Sequence, residues 1–301
     1  MKKVLVISSA ESEYTQGANQ IFVHEIAARL QDVDVQTCHY RDIALYITRD
    51  KITVTRISSG EELRDYDLVY FKSFYRYSEM ASAIASYLQQ EQVKYICHEI
   101  DECVSFSKLT QYARLSLRHL PIIPTVFVER QSWNEGTQLI EQRFGFPCIF
   151  KAIDGKGGDA NYLVSSAEEL IETASRHECD FIAQQFVPND HDLRVLIANS
   201  EVKRIIKRQR ADNTSHLNNT SKGASAYLVP IEELDEQIRA ISCEAAATFH
   251  REIAGVDIVT NSETGEVLIL EVNASPQVAT GAFREEKLDV YANLFETLLA
   301  S

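Results

Sequence analysis

The chain has 301 residues, enough for two or three lobes around a cleft, and its 45% hydrophobic and 25% charged composition with few glycines is that of a globular protein. Thirty lysines and arginines against 44 aspartates and glutamates give a formal charge of −14. Such a surface repels nucleic acid and anionic lipid, so no nucleic-acid or membrane partner is expected. Six scattered cysteines without a Cys-x-x-Cys pair read as thiols in a reducing cytoplasm rather than a disulfide frame. Val4–Ile7 is too short for a signal peptide and is followed at once by acidic residues, and no apolar run approaches a membrane span.

In chain order, Val4–Ser8 is β-rich and Gln20–Leu30 has helical periodicity. Asp34–Tyr40, Leu68–Phe71 and Lys94–Cys97 read as strands, and Met80–Gln90 as a helix. This alternation predicts a mainly parallel, covered sheet with the loop Ser9–Asn19 at its carboxyl edge, where open α/β folds bind ligands. Helices are then predicted at Ser107–Leu117, Asn134–Phe144 and Ala167–Arg176. Between and after them come strands Thr125–Val128, Cys148–Ala152, Tyr162–Val164 and Phe181–Gln185. The last third carries strands Leu193–Ile197 and Val202–Lys207, a polar loop over Asp212–Ser221 and a helix near Leu234–His250. It continues with a hairpin of Gly255–Val259 and Val267–Val272 turned by Asn261–Gly265.

Three features carry chemistry. Glu271 and Asn273, two apart on a strand, project to one side. A hairpin symmetric about Thr264 sets Asp257 opposite Glu271, which makes a hard-oxygen site suited to Mg²⁺. Lys151 sits in the apolar strand Ile149–Ala152 immediately before a loop with Gly155, Gly157 and Gly158. A lysine there is costly without an anion, and glycines let backbone N–H groups approach phosphate. Asp192-Leu193-Arg194 precedes the basic stretch Lys203, Arg204, Lys207, Arg208, Arg210, whose alternation puts Arg208 and Arg210 on one face. Neither a P-loop nor a Gly-x-Gly-x-x-Gly spacing is present, and neither His24-Glu25 nor His98-Glu99 completes a zinc motif.

The order Lys108, Lys151, glycine loop, Gln184-Gln185-Phe186-Val187, Asp192-Leu193-Arg194, Asn219, Lys222-Gly223, Asp257 and Glu271-Val272-Asn273-Ala274-Ser275-Pro276 resembles the ATP-grasp superfamily, and within it the RimK-like α-L-glutamate ligases. The likeness covers Lys108 to Pro276. It implies an α/β fold of α+β lobes: an N-terminal Rossmann-like pre-ATP-grasp domain over 1–100, a central lobe with a glycine-rich lid over 101–187, and a C-terminal lobe with the metal site over 188–301. Lys108 and Lys151 would contact ATP phosphates under the Gly155–Gly158 lid, and the backbone of Gln184 to Val187 would read adenine beside Asp192. Asp257, Glu271 and Asn273 would hold Mg²⁺ or Mn²⁺, while Arg194, Arg210 and Asn219 would stabilise the transferred phosphoryl group and the tetrahedral intermediate.

The implied activity is ATP-dependent joining of a small-molecule or peptide carboxylate to an amine through an acylphosphate, in a cytoplasmic protein that would suit a homo-oligomer. A phosphotransferase with an alcohol acceptor and a nucleotide binder without turnover remain the alternatives. Gln185, Lys222-Gly223-Ala224 and Gln277 depart from the residues frequent in the family, without removing a metal ligand or a phosphate-binding lysine.

Overall fold

The computed structural model describes residues 1–9, 12–102, 107–155, 159–210, 218, 223–274, 276, 278 and 281–301. Its first sheet is parallel, in the order β2-β1-β5-β6, from β1 (Lys2–Ser8), β2 (Val33–His39), β5 (Leu68–Phe71) and β6 (Lys94–Ile96). Val4–Ile7 and Leu68–Phe71 are buried throughout, as strands covered on both faces must be. Helices α1 (Glu13–Arg29) and α2 (Ser78–Gln90) supply the crossovers.

Helix α1 starts earlier than its apolar period suggests. Ser12 forms a capping box with Thr15, each side chain bonding the other's backbone N–H, and this turns Glu13–Asn19 from the expected loop into helix. A small hairpin, β3 (Ile43–Ile47) with β4 (Ile52–Arg56), is inserted before β5 and is not among the expected elements.

A second, antiparallel sheet has the order β7-β10-β8-β9, built from β7 (Thr125–Val126), β8 (Cys148–Ala152), β9 (Asn161–Val164) and β10 (Phe181–Gln185). Helices α4 (Trp133–Arg143) and α5 (Ala167–Ser175) cover it, with Phe150 stacked on Phe181 at 4.4 Å and edge-on to Trp133 at 4.9 Å. Helix α3 (Lys108–Leu117) leads into this lobe.

The third sheet is antiparallel in the order β13-β12-β11-β14-β15. Its strands are β11 (His191–Ala198), β12 (Glu201–Gln209), β13 (Ser225–Val229), β14 (Ile253–Thr260) and β15 (Val267–Asn273). Val195, Ile197, Ile205, Val256 and Ile258 face α6 (Glu236–Thr248) and share its core. Strand β13 has mostly exposed residues, so no apolar alternation announced it.

The opposite face is divided. Leu196, Ala198 and Ile253 merge with the core of the first sheet, and the remainder is polar. The bridge between them is α7 (Arg284–Ala300), a helix not among the expected elements, whose Leu288, Tyr291 and Phe295 recur at helical spacing. Tyr291 packs edge-on to Phe22 of α1 at 5.3 Å, and Phe295 meets Tyr70 of β5 at 5.8 Å. The end of the chain therefore completes the core of its beginning. No helix among the described residues is long and apolar enough to cross a membrane.

Because Phe295 is fully buried in this shared core, Phe295→Ala should lower unfolding free energy by about 3–5 kcal/mol. Urea titration followed by far-UV circular dichroism would measure the loss.

Candidate active site

The polar end of the third sheet is built by register. Arg194 lies opposite Asp257, and Asp192 opposite Arg208, so all four side chains share one face. Arg194 donates to both oxygens of Asp257 at 2.7 Å, and Arg208 to both oxygens of Asp192 at 2.6 and 2.8 Å. Arg208 also reaches Asp257 at 3.1 Å, closing the series Arg194–Asp257–Arg208–Asp192. Burial opposes ionisation of Asp257, but its two guanidiniums prevail and hold its carboxyl below the usual range. Asp192 has one such partner, and burial pushes it up to about 6.

Asp257 does stand across from Glu271, by a route other than a symmetric turn. Near the tip the pairs are Thr260–Val267, Val259–Leu268 and Ile258–Ile269. A bulge at Leu270 then shifts the register so that Asp257 pairs with Glu271 and Gly255 with Asn273. Without the bulge, Leu270 would face Asp257. Gly255 is required here, since a Cβ would come within 2.9 Å of Pro276.

Strand β15 is an edge, and its outward backbone groups are occupied one by one. Ile269 N–H donates to Pro121 at 2.8 Å, and Tyr112 donates to the Leu270 carbonyl. Val272 N–H donates to Gln111 Oε1 at 3.2 Å, and Arg251 donates to the Val272 carbonyl at 2.5 Å. Arg251 is fully buried and paired bidentately with Glu99, on the segment leaving the first sheet, at 2.7–2.9 Å. The strand carrying Glu271 and Asn273 is thus clamped by all parts of the fold.

Helix α3 supplies much of that clamp from one face. Lys108, Gln111 and Tyr112 stand at i, i+3 and i+4. Lys108 donates to the Gly155 carbonyl and lies 3.8 Å from Glu271 Oε1. Tyr112 lies 3.4 Å from both Lys151 Nζ and Gln184 Oε1. Burial lowers both lysines, Lys151 to about 8: Glu271 offsets part of the desolvation of each, helped by Asp257 at Lys151 and by Asp154 at Lys108.

Gly155 is glycine for lack of room, a Cβ there falling 2.8 Å from the Asp159 carbonyl. Gln184 is buried and bonds Thr125 at 2.8 Å, while the Gln185 N–H donates to Pro124 at 3.0 Å. Phe186 follows it, and Val187 enters a small core with Ile123, Val259 and Leu268, its carbonyl accepting from Asn189 at 2.7 Å.

Lys108, Lys151, Asp192, Arg194, Asp257, Glu271 and Asn273 are therefore gathered around one cleft. Arg210 is not: its guanidinium is spent on the carbonyl and side chain of Asn189. Arg208, its neighbour in the same alternation, is the arginine that joins Arg194 beside Asp257. Gly157, Gly158 and Asn219 lie outside the described residues. Gln111, Tyr112 and Arg251 had no sequence signal, because each acts on backbone far away in the chain.

Arg208→Met keeps the aliphatic stem but leaves Asp192 uncompensated, and should cost about 3–5 kcal/mol of stability at pH 7. Asp192 then titrates higher still, so lowering the pH through its folded pKa neutralises it. Urea unfolding should show a smaller deficit at pH 5 than at pH 7.

Comparison with known proteins agrees with this architecture. The RimK-like ATP-grasp domain matches residues 110–298. A probable α-L-glutamate ligase 1 of Shewanella amazonensis is 26% identical over 223 residues, 72% of this chain and 71% of that protein. A ribosomal protein bS6–L-glutamate ligase of Escherichia fergusonii is 30% identical over 148 residues, 48% of this chain and 47% of that one. Among solved structures, the ATP-grasp ligase PsnB, complexed with a phosphomimetic variant of its minimal precursor, Mg and ADP, superposes with a TM-score of 0.70 at 17% identity, covering 99% of this chain and 97% of PsnB. The chain belongs to the RimK-like ATP-grasp family, a family of ATP-dependent ligases that form carbon–nitrogen bonds.

Proposed function

We propose that this protein is a carboxylate–amine ligase that works through an acylphosphate and joins a glutamate-like amino acid to a peptide, protein terminus or small acid. The observation that carries this reading is the gathering of two desolvated lysines, Lys108 of α3 and Lys151 of β8, beside Glu271, with Asp257 acting on Lys151. The names of the relatives, glutamate ligases of unspecified and ribosomal-protein acceptors, support the choice of substrates.

The donor set fits a hard divalent cation. Asn273 directs its amide nitrogen to the Gly255 carbonyl at 3.4 Å, which leaves its oxygen for a metal. Glu271 has a partly exposed carboxylate, and among the described residues Asp257 Oδ1 accepts from Arg194 alone, so a lone pair remains for a metal. Mg²⁺ or Mn²⁺ held by Asp257, Glu271 and Asn273 would neutralise charge on the phosphates.

Lys108 and Lys151 would bind the phosphate oxygens, and the segment Gln184 to Val187 would flank adenine. The substrate carboxylate oxygen attacks the γ-phosphorus and ADP leaves, giving the acylphosphate. The amine nitrogen then attacks the acyl carbon, inorganic phosphate departs and the amine loses a proton. Arg194 uses Nε and Nη2 on Asp257, leaving Nη1 to meet the developing negative charge. Asn219 would assist in the same role, whereas Arg210 would act on the Asn189 turn. No protein nucleophile is needed; positioning and charge neutralisation carry the reaction.

Purified protein with Mg-ATP and amino acids, singly and in pairs, should release ADP and phosphate in an amine-dependent way. Asp257→Ala, Glu271→Ala should abolish that release. ADP formation indifferent to amines would point to phosphotransfer, and none at all to a silent binder.

A second test uses Lys151. Its free pKa is near 8, and phosphate binding would raise it, so ATP binding at pH 8 should take up part of a proton. Calorimetry in buffers of different ionisation enthalpy would detect that uptake, and Lys151→Met should remove it.

A further inference from the structure

The first sheet has a feature outside the nucleotide cleft. Its order β2-β1-β5-β6 means that the chain winds one way from β1 and the other way from β5. The switch point between them is where open α/β sheets take ligands, at the carboxyl ends of the strands. Ser8 ends β1 there, and Lys72 follows β5, donating its N–H to the Ile7 carbonyl at 2.9 Å. Val6 pairs with Tyr70, so two residues on Ser8 and Lys72 share a face.

That face is polar and built. Asn19 of α1, buried, donates to Ser8 Oγ at 2.9 Å, and Ser8 is itself buried. Ser9 and Ser73 bond each other at 3.0 Å beside them. The Lys72 ammonium lies 5.6 Å from the ring centre of Phe22. Among the described residues no carboxylate pairs with it, in a chain whose acidic residues outnumber its basic ones 44 to 30. Burial alone acts on its pKa and lowers it to about 8. A half-buried cation at a switch point, beside the Phe22 ring and on the sheet face that carries Ser8, is incomplete without an anion.

We infer that Lys72, with Ser8 and Asn19, forms a subsite for a carboxylate of the substrate, separate from the phosphate-binding lysines. The stretch Ser8-Ser9-Ala10-Glu11-Ser12 has neither the glycines nor the spacing of a phosphate loop, which favours a carboxylate over a nucleotide. The inference rests on the ligase reading, which supplies a carboxylate substrate in addition to ATP.

The test is competitive acetylation of the full chain with acetic anhydride at pH 8, read residue by residue by mass spectrometry. The probes are glutarate and its neutral analogue glutaramide. A bound carboxylate raises the lysine pKa by about one unit, so saturating glutarate should slow Lys72 acetylation about 5- to 10-fold while glutaramide does not. Equal protection by both probes, or none by glutarate, overturns the subsite. In the ligase assay, Lys72→Met should raise KM for the acidic substrate about 10- to 100-fold with KM for ATP unchanged, and Lys72→Arg should restore part of it. An unchanged KM for the acidic substrate in Lys72→Met also overturns the subsite. Loss of amine-dependent turnover in the wild type would instead remove the ligase reading, while protection of Lys72 by glutarate would still stand.

Discussion

A carboxylate at position 257, buried on the fourth strand of a five-stranded sheet, keeps its charge only because two guanidiniums reach it, Arg194 from the adjacent strand and Arg208 from the one beyond. Each arginine in turn is admitted to a desolvated site by the carboxylates it meets. The alternation Arg194–Asp257–Arg208–Asp192 therefore fixes the registers of β11, β12 and β14 relative to one another, since a slip by one residue would send these charges into the apolar face packed on α6. It also leaves one oxygen of Asp257 with capacity to spare beside Glu271.

The rest of the cleft is arranged around the strand next to Asp257. Strand β15 is an edge, normally an open row of donors and acceptors. Here Pro121, Tyr112, Gln111 and Arg251 take up those groups. Three of these contacts are side chains, and two of them come from the helix that carries Lys108. Lys108 and the strand that carries Glu271 and Asn273 are thus held by one helix face rather than by separate loops. The Glu99–Arg251 pair extends the same clamp to the first sheet.

That first sheet is bound to the catalytic lobe through α7 and a common apolar core. The molecule has two desolvated cationic regions, one at Lys108 and Lys151 and one at Lys72, in a protein whose overall charge is strongly negative.

Most of this fold was legible in the sequence where local period and chemistry coincide: the apolar strands, the Asn261–Gly265 turn, the lysine before a glycine, the Glu-x-Asn pair. The sequence by itself determined which residues carry charge and which side of each strand they share, because alternation is a local property of the backbone. It did not determine partners. That Arg208 rather than Arg210 meets Asp257, that a bulge at Leu270 brings Glu271 into line, and that Gln111, Tyr112 and Arg251 hold β15 all depend on strand order and register. Those are settled by packing among residues separated by as many as 161 positions. The early start of α1 was written in a cap with too little apolar period to read, and the edge strand β13 in exposed residues with none. Only the tertiary structure decided that the last helix completes the first core, since a helical period specifies an apolar face and leaves open what covers it.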